Sequence, residues 1–169
     1  MSVIKKINEL PQSEFVRIFA NIFENASWIA EDAYSKKPFS NFEDLSQKII
    51  NIFSNTTKEN QLKIIRDHPD LADKTKITSL SPDSLKEQKN SGLDNCTKEE
   101  FDEFSKLNNT YKKFGFPFIL AIKGKTKIEI LNNFRKRISF DSETEFKEAL
   151  KQVKKIALLR LEDLKNKDI

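Results

Sequence analysis

Only one histidine occurs in the 169 residues, His68, and it stands in the segment Arg66-Asp67-His68-Pro69-Asp70-Leu71-Ala72. Its imidazole is the one side chain here whose ordinary pKa lets it exchange a proton near neutrality. Pro69 disfavours helical backbone angles at His68, so a helix arriving from upstream must stop there and leave the ring at its C-terminal end. The negative end of the helix dipole and the carboxylates of Asp67 and Asp70 would then favour the protonated ring, which describes a general acid. Taken alone, such a residue more often caps a helix or fills a core, because a single titratable group is weak evidence of a site.

Three further features carry polar chemistry where apolar residues are expected. The final helical stripe runs through Leu150, Val153, Ile156, Ala157, Leu161 and Leu164, and Arg160 falls on the same face. A guanidinium facing a core must find an anion or water, since an unpaired buried charge costs several kcal/mol. A structural carboxylate and a ligand both answer that need, and the two coincide if the carboxylate belongs to a substrate. The segment Phe116-Pro117-Phe118-Ile119-Leu120-Ala121-Ile122 reads as an apolar extended run with no convincing strand partner elsewhere. If it is buried, its N–H and C=O groups need other partners, which a small molecule rich in amide groups would supply; a short buried helix start is the alternative. Ser84, Glu87 and Gln88 are spaced i, i+3 and i+4, so a hydroxyl, a carboxylate and a carboxamide share one helix face. By itself that face is more often a polar surface than a site.

Other chemistries are disfavoured. Cys96 is the sole cysteine, so no disulfide forms within the chain, and one Cys with one distant His makes no zinc site. It lies in the turn-like stretch Gly92-Leu93-Asp94-Asn95-Cys96-Thr97, where an exposed, unreactive thiol is expected. Three glycines leave no loop of the kind that cradles phosphates. Thirty basic against 26 acidic residues give a net charge of +4, spread along the chain as pairs on helical polar faces, which describes a solvated surface. Nucleic acid as a partner would call for a more concentrated basic patch. No leading apolar segment resembles a signal peptide and no stretch is long and apolar enough to span a bilayer, so no membrane is expected and the cytoplasm is the default.

These residues must be positioned by helices. Phe15, Ile18, Phe19, Ile22 and Phe23 form one stripe, and Phe42, Leu45, Ile49, Ile52 and Phe53 form another. A helix over 57–67 delivers His68. Ser81-Pro82 begins the helix carrying Ser84, Glu87 and Gln88, with proline where a missing N–H costs nothing. Thr97 with Glu100, Thr126 with Glu129 and Ser142 with Glu145 have capping-box spacing. After the first box, Phe101, Phe104, Leu107, Tyr111 and Phe114 recur at helical spacing until Gly115 closes the helix. The expected fold class is all-α, a single compact domain over 1–169 with about eight or nine helices and no significant sheet.

The blocks His68-Pro69-Asp70-Leu71-Ala72, Ser84-x-x-Glu87-Gln88, Gly92-Leu93, Leu107-Asn108, Tyr111, Phe114-Gly115-Phe116-Pro117-Phe118 and Arg160-Leu161 occur in this order. With them the chain resembles the OHCU decarboxylase family of purine catabolism, OHCU being 2-oxo-4-hydroxy-4-carboxy-5-ureidoimidazoline. The likeness covers nearly the whole chain and is strongest from Arg66 to Leu164. Asp73 stands where the family usually has glycine after Leu-Ala, which bears on the turn behind His68, and Ser91-Gly92 replaces a common Ala-Gly.

The resemblance implies an all-helical homodimer that needs no cofactor or metal and decarboxylates OHCU to (S)-allantoin in urate degradation. It implies that His68 is the catalytic proton donor and Glu87 its catalytic partner, orienting the ring or the substrate. Pro69, Ser84, Gln88, the backbone of Phe118, Ile119, Leu120, Ala121 and Ile122, and Arg160 would form the substrate-binding shell. The chemistry is coherent with those residue types. Loss of CO2 leaves electron density that preorganised donors must stabilise, and one face must then receive a proton, for which His68 is the available near-neutral acid. Walls from the phenylalanine-rich core would disfavour the departing carboxylate by desolvation. The competing expectation is a helical interaction module that binds nucleic acid or protein through its lysine-rich faces. That reading predicts steeply salt-dependent binding and indifference to His68→Ala.

Overall fold

In the computed structural model, residues 2–73, 75, 77–167 and 169 are described, with the backbone alone for Ile77. Among them are nine α-helices, two short 3-10 segments and no strand, the all-α architecture that the periodicity predicts. They group into two compact units: residues up to Ile64 with those from Lys154 on, and Ile65–Val153.

The first unit contains α1 (Val3–Glu9), α2 (Gln12–Phe19), α3 (Ser27–Tyr34), α4 (Phe42–Asn55), most of α5 (Lys58–Arg66) and the second part of α9 (Ser142–Lys165). Its centre is aromatic. Phe15 lies 4.6 Å from Phe19 and stacks on Phe39 at 5.9 Å, while Phe23 stacks on Phe53 at 4.9 Å. Burying each ring stabilises the fold by roughly 1.5–3 kcal/mol relative to leaving it in water. The α4 stripe turns inward as its spacing predicts, with Asn41 capping the helix by accepting the Asp44 N–H at 2.7 Å.

The stripe from Phe15 to Phe23 is not one helix. α2 ends at Phe19, and Ile22 and Phe23 sit in a turn, although both remain buried. The Ile22 N–H closes back on Phe19 O, and Asn25 adopts φ +49°, a left-handed geometry that asparagine tolerates better than most residues. Burial of the apolar residues is preserved without helical continuity.

The second unit holds the end of α5, a 3-10 turn (Ile77–Ser79), α6 (Pro82–Asn90), α7 (Lys98–Tyr111), a 3-10 turn (Lys112–Phe114), α8 (Lys127–Arg137) and the first part of α9. α6 starts as expected, with Ser81 accepting the Ser84 N–H and Pro82 in the first turn. The boxes at Thr97–Glu100 and Thr126–Glu129 are both formed. Gly115, at φ +78°, terminates the segment after α7 in the left-handed conformation.

The third expected box is not what starts α9. Asp141 takes that role, its carboxylate accepting the Thr144 N–H at 2.9 Å and the Thr144 hydroxyl at 2.7 Å. Glu145 is thereby released from the helix end and is fully buried. An aspartate one residue earlier offers the same capping chemistry, and the spacing alone did not separate the two.

Candidate active site

His68 lies just past the end of α5, where its N–H donates to Ile65 O at 3.2 Å and Pro69 stops the helix. The residue is buried, at 8 % exposure. The chain then turns sharply through Asp70, Leu71 and Ala72, and side chains from two other helices hold this turn by its backbone. Gln88 of α6 accepts the Ala72 N–H at 3.1 Å and donates to Asp70 O at 3.2 Å. Asn108 of α7 donates to Leu71 O at 2.9 Å. Three consecutive residues after Pro69 are therefore fixed by carboxamides, which sets the path of the backbone leaving His68.

Ala72 occupies the left-handed region at φ +54°, which costs an L-residue about 1–2 kcal/mol. Asp73 follows and closes a local turn, accepting the Thr75 N–H at 3.0 Å and the Thr75 hydroxyl at 2.7 Å. Asp73 thus has a structural use, and the left-handed conformation that favours glycine falls one residue earlier, at Ala72. Ala72→Gly should raise stability by up to about 1 kcal/mol, its unfolded-state entropy offsetting part of the relief. Chemical denaturation checks this, and a loss of stability would contradict the strain.

On α6, Ser84 and Gln88 are buried and Glu87 is half-buried, so the face that their spacing predicts they share is turned inward and is not the polar surface such a pattern more often forms. The carboxamide of Gln88 spends one N–H and one lone pair on the turn after His68, keeping one of each for another partner. His68 and Pro69 line a cleft of about 420 Å³ together with Arg66, Asn108, Lys112, Phe116 and Pro117. Residues from before and after α6 and α7 thus meet at one opening, with the start of the extended run in its wall.

From Pro117 to Ile122 the chain runs without turn or bend, and Phe118, Ile119, Leu120, Ala121 and Ile122 are all buried. No strand pairs with it among the described residues, as the sequence predicts. Side chains take some of its polar groups: Arg137 donates to Ile119 O at 2.5 Å, Gln152 accepts the Ala121 N–H at 3.0 Å, and Ser91 donates to Ile122 O at 2.9 Å. Among the described residues the N–H groups of Phe118, Ile119, Leu120 and Ile122, and the carbonyls of Phe118, Leu120 and Ala121, meet no protein partner. A buried polar group left unsatisfied costs about 1–3 kcal/mol, so this backbone is chemically suited to water or a polar ligand.

Behind the run lies an ionic cluster that the sequence reading missed. Arg137 forks onto Glu145, with Nε to Oε1 at 3.0 Å and Nη2 to Oε2 at 2.9 Å, and the Tyr111 hydroxyl donates to the same carboxylate. All three side chains are buried, and the guanidinium also lies 4.5 Å from the centre of the Phe118 ring. Burial, and then the neighbouring carboxylate, push the Tyr111 phenol pKa up, so the hydroxyl keeps its proton and serves as a donor. A signal existed. Arg137 is spaced i+7 and i+3 from Ile130 and Phe134, and Glu145 is spaced i−4 and i−8 from Ala149 and Val153, so each charge sits on an apolar stripe as Arg160 does.

Arg160 is described within the first unit. It is buried, donating to Asn21 O at 3.1 Å and pairing with the buried Glu24 at 3.0 Å. The anion that its inward position demands is therefore supplied at least in part by the protein. Cys96 is half-buried rather than exposed, its thiol 3.5 Å from Leu93 O, because the turn folds back over it. No group of three or more histidine, cysteine or carboxylate side chains suited to a metal ion occurs among the described residues.

Comparison with known proteins gives this site a context. A sequence model of the OHCU decarboxylase family matches residues 8–162. The chain is 35 % identical over 162 residues to the 2-oxo-4-hydroxy-4-carboxy-5-ureidoimidazoline decarboxylase of Halalkalicoccus jeotgali, spanning 95 % of this chain and 90 % of that one. It is 42 % identical over 165 residues to the uric acid degradation bifunctional protein of Bacillus sp. (strain TB-90), covering 97 % of this chain and 32 % of that protein. It thus spans about a third of the length of the bifunctional urate-degradation proteins it matches. Among solved structures, a crystal structure of (S)-allantoin synthase superposes with a TM-score of 0.77 at 27 % identity, covering 97 % of this chain and 54 % of that one. On the extent of these matches, the chain belongs to the OHCU decarboxylase family.

Proposed function

We propose that this protein decarboxylates 2-oxo-4-hydroxy-4-carboxy-5-ureidoimidazoline to (S)-allantoin and CO2, as a cofactor-free carboxy-lyase of urate degradation. The observation that carries the reading is the family match across residues 8–162, shared with relatives of nearly the same length that bear this activity in their names. In this reading the bond to the carboxylate breaks with its electron pair remaining on the substrate, delocalised into a neighbouring C=N or C=O. His68 gives its proton to one face of that system, which sets the configuration of the product, and regains a proton from solvent. Glu87 orients the ring or the substrate. Pro69, Ser84, Gln88, Arg160 and the backbone of residues 118–122 form the binding shell, and the open amides and carbonyls of that run suit a ureido-imidazoline, which carries both donors and acceptors.

The same reading takes residues 1–169 as one functional domain that works as a homodimer in the cytoplasm. Among the described residues no helix is long and apolar enough to cross a membrane, which is compatible with that location. Sedimentation of the purified protein tests the dimer. The activity is tested by mixing freshly generated OHCU with the protein and following circular dichroism. Optically active allantoin should appear faster than the spontaneous decay. Racemic product at the spontaneous rate would end the proposal.

A further inference from the structure

Within residues 118–121 of the extended run, the protein's own hydrogen bonds reach one edge and leave the other open. In an extended chain the N–H and C=O of alternate residues point to opposite edges, so Ile119 and Ala121 share one edge while Phe118 and Leu120 share the other. The first edge is held at two points, Ile119 O by the Arg137 guanidinium and the Ala121 N–H by Gln152 Oε1, while its Ile119 N–H and Ala121 C=O meet no protein partner among the described residues. Each holder is itself held. Arg137 is locked by the fork to Glu145, whose second oxygen also receives the Tyr111 hydroxyl. Gln152 is turned the right way round by donating to Glu148 Oε1 at 2.8 Å, which commits its oxygen to the backbone. Along the second edge, the N–H and C=O of both Phe118 and Leu120 meet no protein partner among the described residues, and the edge closes only at its end, where Ile122 O accepts from the Ser91 hydroxyl and the Lys125 N–H. Apolar packing alone could bury this run, yet a buried charge and a buried carboxamide are spent on it. Their effect is to fix which edge faces away, because a one-residue slip in an extended segment exchanges the two edges.

From this geometry we infer that Arg137 and Gln152 are positioning residues for substrate binding. They bind one edge of residues 119–121 and so set the register in which Phe118 and Leu120 present paired donors and acceptors to an amide-bearing ligand. The inference rests on the decarboxylase reading for the identity of that ligand, and on the hydrogen-bond pattern alone for the positioning.

Gln152→Met tests it, because methionine keeps the length and apolar stem but cannot accept the Ala121 N–H. With OHCU as substrate, KM should rise by about tenfold, the worth of one misplaced hydrogen-bonding pair, while kcat stays within about twofold. Phe53→Leu, in the core of the other unit, serves as a control with lowered melting temperature and should keep the wild-type KM. An unchanged KM in Gln152→Met, or an equal rise in Phe53→Leu, would overturn the positioning role. If the wild type fails to turn over OHCU, the decarboxylase reading falls instead, and amide hydrogen exchange without ligand still decides the inference. The Ala121 amide should exchange more slowly than that of Leu120 in the wild type and lose that advantage in Gln152→Met. Equal exchange of the two amides in the wild type would overturn it.

Discussion

Replacing His68 with alanine should lower kcat for OHCU decarboxylation by about 10²- to 10⁴-fold, the usual worth of a positioned general acid. The fold should survive. The backbone N–H of this residue ties it to Ile65 of α5 whatever its side chain, and the turn that follows is held by Gln88 and Asn108. The loss should therefore fall on the proton-transfer step and not on the helices, with far-ultraviolet circular dichroism unchanged. The stereochemical outcome gives a second reading. With no acid fixed on one face, residual product should lose optical purity. Wild-type kcat in His68→Ala would remove the ring from the mechanism while leaving the identity of the substrate open.

The second large effect concerns stability. Glu145→Leu leaves the buried Arg137 guanidinium facing an apolar side chain and removes the acceptor of the Tyr111 hydroxyl. Breaking a buried pair on one side typically costs about 3–5 kcal/mol, which for a chain of this size lowers the melting temperature by roughly 10 °C. Arg137→Leu should cost a comparable amount by stranding the carboxylate. The double variant Arg137→Leu/Glu145→Leu should be less destabilised than either single one, because no uncompensated charge remains. Thermal melts of the three variants check the pattern, and additive losses in the double variant would show that the two charges do not act as a pair. A stable double variant with impaired substrate binding would separate the holding of Ile119 O from the holding of the fold.

Sequence patterns carried most of this architecture because they report local physics. Proline after His68 stops α5, Ser81-Pro82 starts α6, two of three capping boxes form, and Gly115 closes the segment after α7. The misreadings occurred where two local solutions competed. The apolar spacing from Phe15 to Phe23 satisfies a helix, but a turn buries the same rings. Ser142 and Glu145 have box spacing, but Asp141 caps α9 and the glutamate pairs with Arg137 instead. Within the candidate site, the shared face of Ser84, Glu87 and Gln88 was legible from helical spacing and the non-helical path after Phe116 from Pro117, whereas the burial of both is set by tertiary packing. The clasp of Asn108 on Leu71 O joins residues 37 apart, and nothing in local spacing announces such a bond. Arg160 was recognised as an inward charge, whereas its partner Glu24 lies 136 positions away and carries no matching sequence signal.

A practical advantage follows from His68 being both buried and without a second imidazole anywhere in the chain. Its ring protons give the sole histidine resonances of the unlabelled protein, so their assignment needs no mutagenesis. The protonation state of this one group can be read directly in the free protein and again with product bound. In most enzymes that proposed acid would have to be disentangled from several spectators.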